Sequence, residues 1–146
     1  MNGKQIGFEI GLAACLGLIL GGSAWQPVSA SAANTREFDG AWSTSAAACS
    51  NMFVQREGQT YLSEKADFFG SGFVIDGNII RGKIATCKIT SVKKSGPTVH
   101  LRTVCTTDIT TINNSFDLRV IDANRVIRSR PDIPEMDTPY IRCSAN

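Results

Sequence analysis

The chain is short of the residues that carry most protein chemistry. It has one histidine, His100, in 146 residues, which excludes a histidine-rich metal centre. Its cysteines include no C-x-x-C pair, so a structural zinc site lacks its usual ligand spacing. No G-x-S-x-G nucleophile elbow occurs; Phe69-Gly70-Ser71-Gly72 comes nearest and lacks the first glycine. Charge is sparse as well. Charged residues make up 19% of the chain with a net charge of +2, short of the strongly basic balance of a dedicated nucleic-acid binder. No apolar run reaches the roughly 20 residues that a bilayer-spanning helix requires. There is no internal repeat and no low-complexity tract, and the length accommodates one domain.

What is present begins with an export signal. Lys4 lies in a short polar start, Ile10 to Leu20 is apolar, and Gly21-Gly22 and Pro27 break the segment. Small residues follow in Val28-Ser29-Ala30 and Ala30-Ser31-Ala32, completing the three parts of a secretory signal peptide. The expected organisation is a signal peptide over 1–32 and a single domain over 33–146. A competing reading treats Leu12-Ala13-Ala14-Cys15 as a lipobox, but the most apolar residues, Leu16 to Leu20, follow the cysteine instead of preceding it. Cleavage removes Lys4 with Glu9, so the net charge is unchanged. It also removes Cys15, and of the 5 cysteines an even set is left: Cys49, Cys87, Cys105 and Cys143. An even set in a short exported chain predicts two disulfides and a periplasmic or secreted location.

The mature segment reads as all-β. Short runs rich in Val, Ile, Thr and Phe alternate with Gly, Asn, Asp and Pro. Strands are expected over 40–44, 52–56, 59–63, 71–75, 79–92, 98–107, 109–112, 115–121, 125–129 and 140–143. Asp76-Gly77-Asn78 is a strong hairpin signal. Gly82 is expected to bend the long strand, and Asn113-Asn114 and Asp122-Ala123-Asn124 to form turns. Ala46-Ala47-Ala48 alone suggests a helical turn. Many short strands at this spacing predict a small antiparallel β-barrel or a sandwich.

One hairpin can be put in register. Folding about Gly96 sets Cys87 opposite Cys105, Ile89 opposite Thr103 and Ser91 opposite Leu101. Lys88, Lys94, His100 and Arg102 then share the polar face, because strand side chains alternate with a period of two. A Cys87–Cys105 bond fits this register and leaves Cys49 for Cys143, although spacing alone admits the two other connectivities.

Gly40-Ala41-Trp42 at the first strand and Tyr140-Ile141-Arg142-Cys143 at the last resemble the ends of calycin barrels, the lipocalins and small bacterial metalloprotease inhibitors. That resemblance implies that Arg142 lies across Trp42 and helps close a barrel, both residues being structural. Trp42, Cys49, Cys87-Lys88-Ile89, Val99 to Cys105 and Tyr140 to Cys143 also resemble a pattern in small exported four-cysteine proteins of alphaproteobacteria. That group implies fold and compartment and no chemistry.

No catalytic, cofactor-binding or metal-binding residue is expected. His100 falls on the polar face beside a turn, where it is most simply solvated. Asp132, Glu135 and Asp137 share a proline-framed loop but lack the order of a calcium loop. Lys88, Lys94, His100 and Arg102 form a candidate basic binding face for an envelope protein or an anionic envelope component. No aromatics interleave with them, so nucleic acid has no stacking platform. Phe53, Tyr61, Phe68, Phe69 and Phe73 are expected to form the core or to line a ligand cavity. The functional expectation is a non-catalytic binding module. Its most concrete form, from the calycin resemblance, is an inhibitor of an envelope enzyme acting through Ser95 to Pro97 and Pro131 to Pro139. The alternatives are a small-molecule or lipid carrier using a barrel interior and, last, a small hydrolase.

Overall fold

The structure, a computed structural model, describes residues 35–67, 71–130 and 133–144. The expected signal peptide, the Cys15 lipobox, Phe68, Phe69, Pro131 and Asp132 lie outside the described residues. Ten strands follow a short 3-10 helix at Thr35–Phe38: β1 Gly40–Ser43, β2 Phe53–Arg56, β3 Gln59–Leu62, β4 Gly72–Asp76 and β5 Ile79–Arg81. They continue with β6 Thr86–Ser95, β7 Thr98–Thr106, β8 Thr111–Asp122, β9 Arg125–Arg130 and β10 Ile133–Arg142. Eight of them close an antiparallel barrel in the order β1-β10-β9-β8-β7-β6-β5-β4, while β2 and β3 form a separate hairpin inserted between β1 and β4. The expected barrel is therefore the architecture found, and the sandwich is not. Among the described residues no helix is long and apolar enough to cross a membrane.

Alternation along the strands fills the barrel. On β7, Val99, Leu101, Thr103 and Cys105 are buried and His100 and Arg102 face outward. Val99 and Leu101 make one core with Trp42, Phe73, Ile75, Leu118, Val126 and Tyr140, capped by Phe38 from the 3-10 helix. That helix plugs one end of the lumen. Thr35 Oγ1 donates to the Gly77 carbonyl, and the Gly77 amide donates to Asp39 Oδ1 at 2.8 Å, tying the plug to the β4–β5 turn. Gly77 takes φ 57°, a left-handed conformation open to glycine at little cost, which the tight turn uses.

The seam is short. β1 pairs with β4 along its whole length but meets β10 only at Trp42↔Arg142 and Ser43↔Ile141. Three further ties reinforce it. Arg142 lies over Trp42, 4.4 Å from the ring centroid, the arrangement that the calycin resemblance implies. Its guanidinium also donates to the carbonyls of Asp39, Glu37 (2.7 Å) and Ala123 (3.1 Å), joining three segments at the plugged end. Just beyond β10, the Cys143 amide donates to the Ala41 carbonyl at 2.8 Å, and Cys143 is bonded to Cys49. The second disulfide is Cys87–Cys105, across directly paired residues of β6 and β7.

Four local expectations are corrected. The hairpin register holds at Cys87↔Cys105 and Ile89↔Thr103, then shifts: Ser91 pairs with Arg102 instead of Leu101. The extra residue is Thr90, whose hydroxyl donates to the Arg102 carbonyl at 3.1 Å. A bulge of this kind bends a long strand around a narrow barrel. The expected strand over 79–92 is two strands, because residues 82–85 form a turn closed by a Gly82 amide to Ala85 carbonyl bond at 2.8 Å. Asn113-Asn114 is not a turn but mid-β8, paired with Val104 and Thr103. The turn falls earlier, where Thr107 Oγ1 accepts from the amides of Ile109 and Thr110. Last, β10 begins at Ile133, so most of the expected 131–139 loop is strand. Pro139 sits opposite Ile127, on a stretch of β10 that β1 does not reach. A proline, lacking an N–H, is tolerated on such an unpaired edge.

Gly72 gives a direct test of how the β2–β3 hairpin seats on the barrel. A Cβ there would lie 2.1 Å from Met52 Sδ and 3.1 Å from both Phe53 Cζ and the Trp42 carbonyl oxygen. The methionine tip can move, but the backbone carbonyl cannot do so without shifting β1. Gly72→Ala is expected to cost about 1–3 kcal/mol by overpacking, read as a fall in the urea midpoint at constant slope. An unchanged midpoint would mean that the hairpin floats free of the barrel.

Candidate ligand cavity and basic face

The plug leaves the opposite end of the barrel as the place where the lumen can open. A cavity of about 200 Å³ lies there, between the Gly82–Ala85 turn, the first half of β8 and the end of β9. Its apolar wall is built by Phe73, Ile80, Ile84 and Phe116, with the Cys87–Cys105 bridge on one side. Its polar groups include Lys83, Arg128 and Arg130, and no Asp or Glu is found among its described lining residues. β9 explains the arginines. Val126 is buried in the core, so alternation aims Arg128 and Arg130 into the same lumen.

Two of the three cations, Lys83 and Arg128, are held differently. Lys83 Nζ donates to the carbonyls of Ser63 and Glu64 at 3.0 and 2.9 Å, fastening the β3–β4 connection to the mouth. Arg128 is half-buried, with its guanidinium carbon 5.8 Å from the centroid of the Tyr140 ring. It makes no hydrogen bond or ion pair among the described residues. Tyr140 is 1% exposed and packs edge-on to Phe73, with ring centroids 4.8 Å apart.

Burial holds the Tyr140 hydroxyl above its ordinary pKa; the Arg128 charge opposes this and the Asp67 charge adds to it. A raised pKa means that the folded state binds the proton more tightly than the unfolded chain. The corresponding stability is therefore complete below about pH 10, the unfolded value, and is lost as pH rises toward the folded value. Denaturation of the wild type should show a steeper loss of stability above about pH 10 than Tyr140→Phe, which has no proton to release. Parallel curves would contradict the assignment.

The basic face is rearranged from its expected form. Lys88, His100 and Arg102 do lie on the outer surface. Lys94 does not join them: beyond the Thr90 bulge it is opposite Val99, and its ammonium reaches Glu37 at 3.3 Å at the plugged end. Lys93 takes its place opposite His100. His100 is not simply solvated, because its Nδ1 donates to Asp117 Oδ1 at 2.8 Å across β7 and β8. Ser91, Lys93, His100, Arg102, Ser115 and Asp117 line a shallow outer groove of mixed charge. In the 131–139 region Asp137 is within 3.5 Å of Arg119. Among the described residues no three acidic, histidine or cysteine side chains are grouped to hold a metal ion.

Of the aromatics singled out in the sequence, Phe73 is in the core and on the cavity wall. Phe53 and Tyr61 belong to the outer hairpin, where Arg81 lies 5.7 Å from the Tyr61 ring centroid. Phe116, Arg128 and Arg130 were not singled out. The signal for the two arginines was the period of two in Val126-Ile127-Arg128-Ser129-Arg130, which means little until Val126 is known to point inward. The chain matches no family model, no curated protein and no solved structure. The cavity must therefore be read from its own chemistry.

Proposed function

We propose that this protein is an exported, non-catalytic binding barrel that carries a small ligand in the open end of its lumen. The observation that carries the reading is the cavity: apolar on one wall, cationic on another, and opposite a plugged end. An eight-stranded barrel is wide enough to hold one small ligand, and concave sites with apolar walls and a few convergent polar groups are the usual form of ligand pockets. Export is supported by the N-terminal sequence and by two disulfides, which persist in oxidising compartments. The periplasm or the medium is the corresponding location. A non-catalytic role is supported by the place of His100, the one imidazole, on the outer face of β7 and away from the cavity.

Inhibition of an envelope enzyme is the second reading. It is favoured by Ile109, 93% exposed at the tip of the 107–110 turn, and by Ile84 and Met136, each 57% exposed. Exposed apolar side chains of this kind suit a protein partner. Native mass spectrometry of the protein purified gently from its own cell envelope separates the two. A reproducible small-molecule adduct, absent from Ala85→Trp in which the indole occupies the cavity, supports carriage. A protein adduct retained by that variant supports inhibition and would displace the carrier reading.

A further inference from the structure

We propose that the cavity takes an anionic amphiphile, a carboxylate on a medium-length alkyl chain, with its head group held inside the barrel by Arg128. This rests on the carrier reading and names its ligand class. The cavity wall has two chemistries, and each constrains the occupant. Phe73, Ile80 and Phe116 offer an apolar track that leads out past Ile84, which an alkyl chain covers and a free inorganic anion does not. The charged side is cationic, with no acid among the described lining residues.

Arg128 is the residue that selects the head group. It is half-buried in the lumen, and its contact among the described residues is with the Tyr140 ring. Asp67, the acid whose charge acts on Tyr140, accepts hydrogen bonds from the Ser71 amide and hydroxyl. A partly desolvated guanidinium that no carboxylate among the described residues pairs is costly, and a ligand that supplies one recovers that cost. The guanidinium fork matches a carboxylate with two parallel N–H···O bonds, so a planar oxyanion is preferred over a hydroxyl. A neutral alcohol of the same length fills the apolar track but brings no charge to Arg128. Lys83 and Arg130, which also line the cavity, add positive potential, which favours approach of an anion.

The test uses the intact, disulfide-bonded protein and two probes, decanoate and decanol, each kept below its aggregation limit and titrated calorimetrically. Decanoate is expected to bind more tightly than decanol by roughly tenfold to a hundredfold, the range that corresponds to charge-assisted hydrogen bonds. Arg128→Gln is expected to bring decanoate down to the level of decanol and to leave decanol unchanged. Equal affinities in the wild type, a comparison that needs no variant, would overturn the head-group assignment while leaving the carrier reading intact. Failure of the wild type to bind either probe would overturn both.

Discussion

Replacing Cys49 and Cys143 together by serine is expected to lower the unfolding free energy by about 4–5 kcal/mol. That corresponds to a fall in melting temperature of roughly 15–25 °C for a domain of this size. The bridge joins residues 94 apart in sequence. Removing it lets the unfolded chain regain the entropy of a loop spanning most of the domain. The folded state loses something too, because the bond lies beside the seam, where β1 and β10 share only two paired positions. Cys87–Cys105 closes a separation of 18 across strands already paired along their length. Its removal is expected to cost less, about 3 kcal/mol. Urea denaturation of the two double-serine variants measures the difference directly. Equal costs would show that the long loop and the seam do not set the stability. Dithiothreitol should reproduce the sum of the two losses, and an unchanged melting temperature on full reduction would remove the basis for treating either bridge as a staple.

Trp42→Ala is expected to cost about 3–5 kcal/mol, the range for truncating a large buried aromatic. Trp42 is 1% exposed, stacks 6.5 Å from Phe73, and donates from Nε1 to the Phe38 carbonyl at 2.8 Å. The substitution thus empties the plugged end of the lumen and releases the plug itself. Arg142→Ala removes the cover from the indole and three donors to the carbonyls of Glu37, Asp39 and Ala123. These acceptors are partly open to water, so about 2–3 kcal/mol is expected. Arg142→Lys keeps the charge but not the fork. One ammonium cannot reproduce a planar group that spans three segments, and the lysine variant should recover less than half of the loss. A double-mutant cycle between Trp42 and Arg142 should give a coupling of about 1 kcal/mol, the contribution of the cation over the ring. Additive single losses would mean that the two residues act separately and that the ring contact contributes nothing to closure.

Both predictions concern features that the sequence anticipated, by two different routes. Even cysteines in an exported chain imply bridges, and a hairpin with Cys87 opposite Cys105 follows from a turn and a period of two. The all-β class was also legible, because turn residues recur at strand spacing along residues 33–146, but barrel and sandwich both stayed open until closure was seen. Trp42 and Arg142 could be paired only through resemblance at the two chain ends, and the structure shows the contact directly. The misplacements have a common cause. Asn113 and Asn114 carry turn propensity, yet pairing with Thr103 and Val104 holds them in strand. Pro139 argues locally against a strand, yet it lies where β10 has no β1 neighbour.

The sequence by itself determined the all-β class and the turn at Gly77 and set Cys87 opposite Cys105, since each depends on residues close in the chain or on composition. Tertiary structure alone decided which face of each strand looks into the lumen, because the Thr90 bulge and the closure of β1 between β4 and β10 set that phase. Lys94 left the basic face for Glu37 by that route. Arg128 and Arg130 came to face the cavity because Val126, two and four residues earlier, is buried in the core. A period of two specifies alternation but not its sign, and the sign is fixed only when the barrel closes.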